Sequence, residues 1–137
     1  MKKKILFFFL FFCVPLTLAN ASQEIKPQNF NKVFLVSVYD GDTFRVRLSC
    51  RYALFCQDIS IRVRGVDCPE IRGGTKESKA AAKTAKEFTK DFLKSGKILL
   101  RNCGRDKYFR VLCDVKVNNK DLATELLAAH HAIPYKL

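Results

Sequence analysis

The chain has 137 residues, 25 of them Lys or Arg against 13 Asp or Glu, for a formal net charge of +12. That length excludes two domains and suits one. So basic a balance steers the protein towards polyanions, whether nucleic acid, an anionic membrane surface or acidic polysaccharide, and charge alone does not choose among them.

Residues 2–4 are lysines, residues 5–18 form an apolar run broken by Pro15, and Ala19-Asn20-Ala21 supplies small residues for cleavage. These are the three parts of a secretory signal peptide over residues 1–21. The apolar run is shorter than the roughly 20 residues of a membrane span, so no stable membrane anchor is expected after cleavage. Removing the leader's three lysines takes the formal charge to +9. The remaining domain is expected in the periplasm or outside the cell.

Residues 22–32 are polar, carry Pro27 and read as a flexible arm, and residues 33–137 form the domain. Residues 33–39 are β-branched and aromatic; Asp40-Gly41 follows, and then Phe44, Val46 and Leu48 alternate with Arg45 and Arg47. Two strands joined through Asp-Gly predict a hairpin. Asp40 suits either the turn or a role near a metal. Asp42 is harder to assign to the turn, which needs only one acid beside glycine.

Residues 50–58 read as a loop and residues 59–66 as a third strand, alternating Ile61, Val63 and Gly65 with Arg62, Arg64 and Val66. Pro69 ends that strand near Asp67 and leaves Asp67 and Glu70 on a turn. Their hard oxygens suit Ca²⁺ or Mg²⁺. Arg62 and Asp67, five positions apart, would lie on opposite faces of a regular strand; a bulge at Gly65, or an earlier strand end, would bring them together.

Thr75 can cap a helix with Ala81, Ala85, Phe88 and Phe92 at helical spacing and Gly96 just past its end. Lysines 76, 79, 83, 86, 90 and 94 give it a solvated face. A fourth strand opens at residues 98–100 and a fifth covers 110–117, with the basic and aromatic loop GRDKYF between them. Asp121 can cap a last helix in which Leu122, Leu126 and Ala129 share a face. His130 and His131 lack the i, i+4 spacing of a helical metal pair, which assigns them structural or surface roles.

Three strands, a helix, two strands and a helix predict an α+β, mainly β domain: a five-stranded OB-fold-type barrel with a helix between strands 3 and 4 and a C-terminal helix. Five cysteines remain after the leader. Cys50 and Cys56 bracket one short loop and Cys103 and Cys113 another, and these are the disulfides expected, with Cys68 left as a thiol; sequence alone leaves the connectivity open.

YDGDT at 39–43, IRVRGVDCPE at 61–70 and DKYFR at 106–110, in that order with a helix between the second and third, resemble the thermonuclease or staphylococcal nuclease-like family over about residues 33–135. The resemblance implies a secreted Ca²⁺-dependent endonuclease acting on DNA and RNA, preferably single-stranded, leaving 3′-phosphates and working as a monomer. By motif, Asp42 and Asp67 would be calcium ligands with the carbonyl of Cys68. Glu70 would act on the attacking water, and Arg62 and Arg110 would grip the phosphate. Lys107, Tyr108 and Tyr135 would bind the nucleotide, and Asp40 would stand behind the ligands. Two departures are Cys68, where the family usually has threonine, and Phe109, where glycine often precedes the second arginine.

The alternative is a non-catalytic OB module that holds single-stranded nucleic acid on cations and aromatics. A basic adhesin or membrane-surface protein is a further one. The set of Asp42, Asp67, Glu70, Arg62 and Arg110 separates them, since a binder gains nothing from three acids in a phosphate groove.

Overall fold

The computed structural model describes residues 26–51, 55–106, 108 and 110–135. The expected leader, Lys107 and Phe109 lie outside those residues.

Strands β1 (Gln28–Phe30), β2 (Val33–Val38), β3 (Thr43–Leu48) and β4 (Ile59–Val63) precede the short β5 (Val66–Asp67). Helix α1 (Lys76–Lys94) follows, then β6 (Ile98–Arg105), β7 (Val111–Val117), β8 (Lys120–Asp121), α2 (Leu122–Ala128) and β9 (Ile133–Pro134). The main sheet runs β1-β6-β7-β4-β3-β2, with β8 on β7, and β5 pairs separately with β9. The five strands expected from sequence are β2, β3, β4, β6 and β7. Their β4–β7 pairing is parallel and the others antiparallel. Contact between β2 and β6 curls this path into the half-barrel of an OB-type fold.

The alternation in β3 sends Phe44, Val46 and Leu48 inward and Arg45 and Arg47 outward. They meet Ile61 and Val63 of β4, Leu100 of β6, Val115 of β7, and Leu122 and Leu126 of α2. Asp121 caps α2, accepting from Thr124 N at 3.1 Å. Thr75 caps α1 by accepting from Ser78 N at 3.3 Å. Both caps are those the sequence predicts.

Two expectations are corrected. Residues 28–30, read as part of a flexible arm, pair with β6, and Phe30 packs on the core. The buried face of α1 is Ala82, Ala85, Thr89 and Leu93; Ala81 is exposed, and Phe88 and Phe92 flank the buried row. Small residues and a hydroxyl let α1 approach the β2–β3 turn more closely than a phenylalanine row would. His131 stacks edge-on against Phe88, with ring centroids 5.0 Å apart, in keeping with a structural role.

Both expected disulfides are present. Cys50–Cys56 closes the β3–β4 connection and Cys103–Cys113 joins β6 to β7, while Cys68 is a buried thiol.

Candidate active site

The first acid comes from the β2–β3 turn. Tyr39 N and Asp40 N both donate to Thr43 O, at 2.9 and 3.2 Å, which draws residues 39–43 into a tight loop. Glycine is required at 41 by close approach: a Cβ there would stand 2.6 Å from Cys68 Sγ and 2.8 Å from Ala85 Cβ. Thr89 Oγ1 of α1 donates to Gly41 O at 2.5 Å. The helix therefore buttresses the acidic turn.

The register Thr43↔Arg62 sets Asp42 beside β4, and Val63 N donates to Asp42 O at 2.9 Å. Its carboxylate is 1% exposed and saturated: Oδ1 accepts from Arg62 Nη1 and from Thr43 Oγ1 at 3.0 Å, and Oδ2 accepts from Cys68 N at 2.6 Å. Arg62 Nη2 donates to Asp67 Oδ1 at 2.6 Å and to Val66 O at 3.2 Å. One guanidinium thus spans both acids. Gly65, at φ +80°, supplies the break between β4 and β5 that brings Arg62 and Asp67 to the same side.

Asp40 is buried too, and its Oδ1 has no hydrogen-bond partner. Burial raises its carboxyl above the usual range, against the nearby Thr43, Arg62 and Arg110. Burial likewise pushes the Cys68 thiol up to about 12, and the charges of Asp40 and Asp67 act in the same direction while Arg62 opposes them. Burial of the thiol beside the site thus favours its protonated, less reactive form.

The second arginine comes from the β6–β7 connection. Asp106 accepts from Arg110 Nε at 2.8 Å, Arg110 N at 2.9 Å and Tyr108 N at 2.8 Å, and Asp106 N donates to Arg110 O at 3.0 Å. Burial works against the charge on Asp106, yet the Arg110 side chain and the two amides outweigh it and hold the carboxyl below its ordinary value. Arg110 also lies over the Tyr108 ring, 5.4 Å from its centroid. Asp106 is the residue that motif reading left without a role. The signal was present as an acid four positions before an arginine in one loop.

These parts line one cleft of about 250 Å³, which holds Arg62, Asp67, Glu70, Tyr108, Arg110 and Tyr135 together. Tyr135 enters because β9 pairs with β5 and Tyr135 N donates to Gly65 O at 2.9 Å. Asp42 lies beneath Arg62 and does not line the cleft. Cys68 lines a separate depression with His130 and His131. Among the described residues no three His, Cys, Asp or Glu side chains form a group able to hold a metal ion. Asp42 and Asp67 meet through Arg62 instead.

A half-barrel of this topology, with two guanidinium groups and three carboxylates on one open cleft, is nuclease-like in class. The family model of the staphylococcal nuclease homologue matches residues 60–136, more than half of the chain, and the chain belongs to that family. Its members are in general nucleases that depend on calcium. No curated protein matches the chain. Asp40 and Asp42 precede the matched stretch, and their place at the site rests on the β3–β4 register.

Proposed function

We propose that this protein is a secreted, calcium-dependent endonuclease that hydrolyses DNA and RNA, single strands in preference, to products ending in 3′-phosphate. The observation that carries this reading is the convergence of Arg62, Arg110, Glu70 and Asp67 on one cleft. Arg110 uses Nε for Asp106, so its terminal nitrogens can present a bidentate fork to a phosphate. Such forks matter most where charge builds on the phosphoryl oxygens in the transition state, and lysine would not reproduce them. Glu70, exposed on the cleft, takes a proton from the attacking water. The water oxygen bonds to phosphorus, the bond from phosphorus to the 5′-oxygen breaks, and that oxygen is protonated from solvent.

In chemistry the donors suit calcium, being hard carboxylate and carbonyl oxygens, although Arg62 bridges the two acids in this structure. Asp42 and Asp67 already share one positive charge between them, and the partnerless buried oxygen of Asp40 marks a surplus of acid on the same turn. Asp42, Asp67 and the Cys68 carbonyl would hold the ion, which when bound supplies positive charge against the phosphate and lowers the pKa of water. Tyr108, Tyr135 and Lys107 would hold the nucleotide. Export is supported by the leader-like residues 1–21 and by two disulfides, which persist in oxidising compartments. Arg62, Asp67, Glu70 and Arg110 reach one cleft within a single domain, which supports a monomer as the working unit.

The test is cleavage of single-stranded DNA by protein expressed from the full-length chain, in Ca²⁺ and then in excess EGTA, with analysis of product ends. Calcium-dependent cutting to 3′-phosphates is expected. Undiminished cutting in EGTA would remove calcium from the mechanism. Tight binding without cutting under any divalent ion would replace the enzyme with a binding module.

A further inference from the structure

Arg110 borders two depressions. Beyond the cleft it also lines an open one of about 560 Å³, together with Tyr39, Thr43, Arg45, Ser60 and Lys86. Three cations and no acid line this second depression. Arg45 has Asp58 as a neighbour at 4.0 Å, but both side chains are more than half exposed, where water screens such a pair to little effect. Tyr39 is half exposed, with the Arg72 guanidinium 6.0 Å above its ring. Lys86 belongs to a row with Lys79, Lys83 and Lys90 at alternating spacings of four and three, one edge of α1, in which Lys90 is engaged by Glu87 at 3.0 Å.

The strand register places this depression relative to the reacting centre. Thr43 pairs with Arg62 and Arg45 with Ser60, so the step from one pair to the next is two residues along β3 and β4, about 7 Å. All four side chains lie on the same outer face. The second and third strands of an OB barrel, here β3 and β4, with the loops joining strands one to two and four to five, form its general surface for oligonucleotides. Those loops are here the turn carrying Tyr39 and the loop carrying Arg110. Spaced cations beside an exposed ring, with no acid between, is the composition that holds a single strand without reading its sequence.

We infer that this depression is a second nucleic-acid subsite, in which Arg45 and Lys86 take a backbone phosphate next to the scissile one and Tyr39 stacks a base. The inference rests on reading the cleft as the hydrolytic site, and it adds that a strand must run past Arg110 onto β3, β4 and α1 to be held fully. A dinucleotide would leave the subsite empty, whereas a strand of about twelve nucleotides would fill it.

The experiment compares Arg45→Gln/Lys86→Gln with wild type, using a dinucleotide and a single strand of about twelve nucleotides as substrates. It also measures anisotropy of the labelled long strand over a salt series in a Glu70→Gln background. The double variant should raise KM and Kd for the long strand about tenfold and lower the slope of log affinity against log salt by about 0.7, the value for one phosphate on a single strand, with kcat and dinucleotide kinetics unchanged. Tyr39→Ala should weaken the long strand about tenfold and leave the salt slope as it was. Lys97→Gln/Lys116→Gln is the control: it removes the same charge near the Ile98↔Val117 end of the β6–β7 pair, away from Arg110, and should change neither quantity. Long-strand affinity and slope that match wild type in the Arg45/Lys86 variant would overturn the inference, as would an equal loss in the control. If wild type binds the strand without cutting it, the hydrolytic reading fails, and the anisotropy comparison still decides the subsite.

Discussion

Asp42→Asn tests the centre of the site more sharply than any other single change. Three donors converge on the Asp42 carboxylate: Arg62 and Thr43 on one oxygen and the Cys68 amide on the other. An asparagine has one acceptor oxygen. If that oxygen stays with Arg62, its NH₂ group faces the Cys68 N–H, where the native contact is 2.6 Å, donor against donor. A buried amide left unsatisfied costs about 1–3 kcal/mol, and removing one partner of a buried ion pair costs about 3–5 kcal/mol in all. Arg62 retains Asp67, which sets the expected loss near the lower bound, about 3 kcal/mol. For a domain of this size that lowers Tm by about 10 °C. The contrast is Asp67→Asn, where the Asp67 side chain is 48% exposed and the loss should be about 1 kcal/mol or less. Both variants should lose the stabilisation that calcium gives wild type, which is about 2.7 kcal/mol at a hundredfold excess over Kd. Urea unfolding in EGTA and in Ca²⁺ measures all four quantities. Equal stability losses for the two variants would refute the buried geometry, and a full calcium response in either would refute the ligand assignment.

Glu70→Gln should retain nucleic-acid binding and lose about 10²–10³ in kcat, as for other single electrostatic contacts to a transition state; steady-state kinetics with undiminished kcat would reassign the base. Asp106→Asn should unfix Arg110, raising KM, and should flatten the acid limb of the stability curve. Because Asp106 is held below its ordinary 3.8 in the fold, its contribution is complete above that value and is lost as pH falls through the depressed one. Denaturant titrations between neutral and acid pH would show a parallel limb in both proteins if the Arg110 contact were unimportant. Cys68 should resist a thiol reagent at pH 8 and label only after unfolding, a difference that peptide mapping reads directly; labelling of the native protein would contradict its burial.

The parts legible in the sequence were those in which side-chain pattern and backbone geometry coincide. The β2–β3 hairpin followed from alternation around Asp-Gly, and the two helix starts from Thr75 and Asp121. The inner face of α1 was misread because Thr89 scores as polar, although it is fully buried and spends its hydroxyl on Gly41 O. Strand β1 was invisible because its pairing with β6 is mostly main chain, which leaves little hydrophobic signature beyond Phe30. At the site, the motifs located Arg62, Asp67, Glu70 and Arg110, and Gly65 was the break expected to bring Arg62 to Asp67; that the same guanidinium also bonds Asp42 depends on the Thr43↔Arg62 register between two strands, which no motif carries. Asp106 went unassigned since its partners lie within its own loop.

The cross-link between Cys103 and Cys113 has a consequence for how this molecule can diversify. It staples β6 to β7 two residues below the loop that carries Arg110, so length or sequence changes between Arg105 and Val111 meet a cross-linked base before the rest of the sheet. The loop is a replaceable cassette on a fixed mount: substitutions at its crown can retune what is gripped, while the acids on the opposite hairpin keep their places.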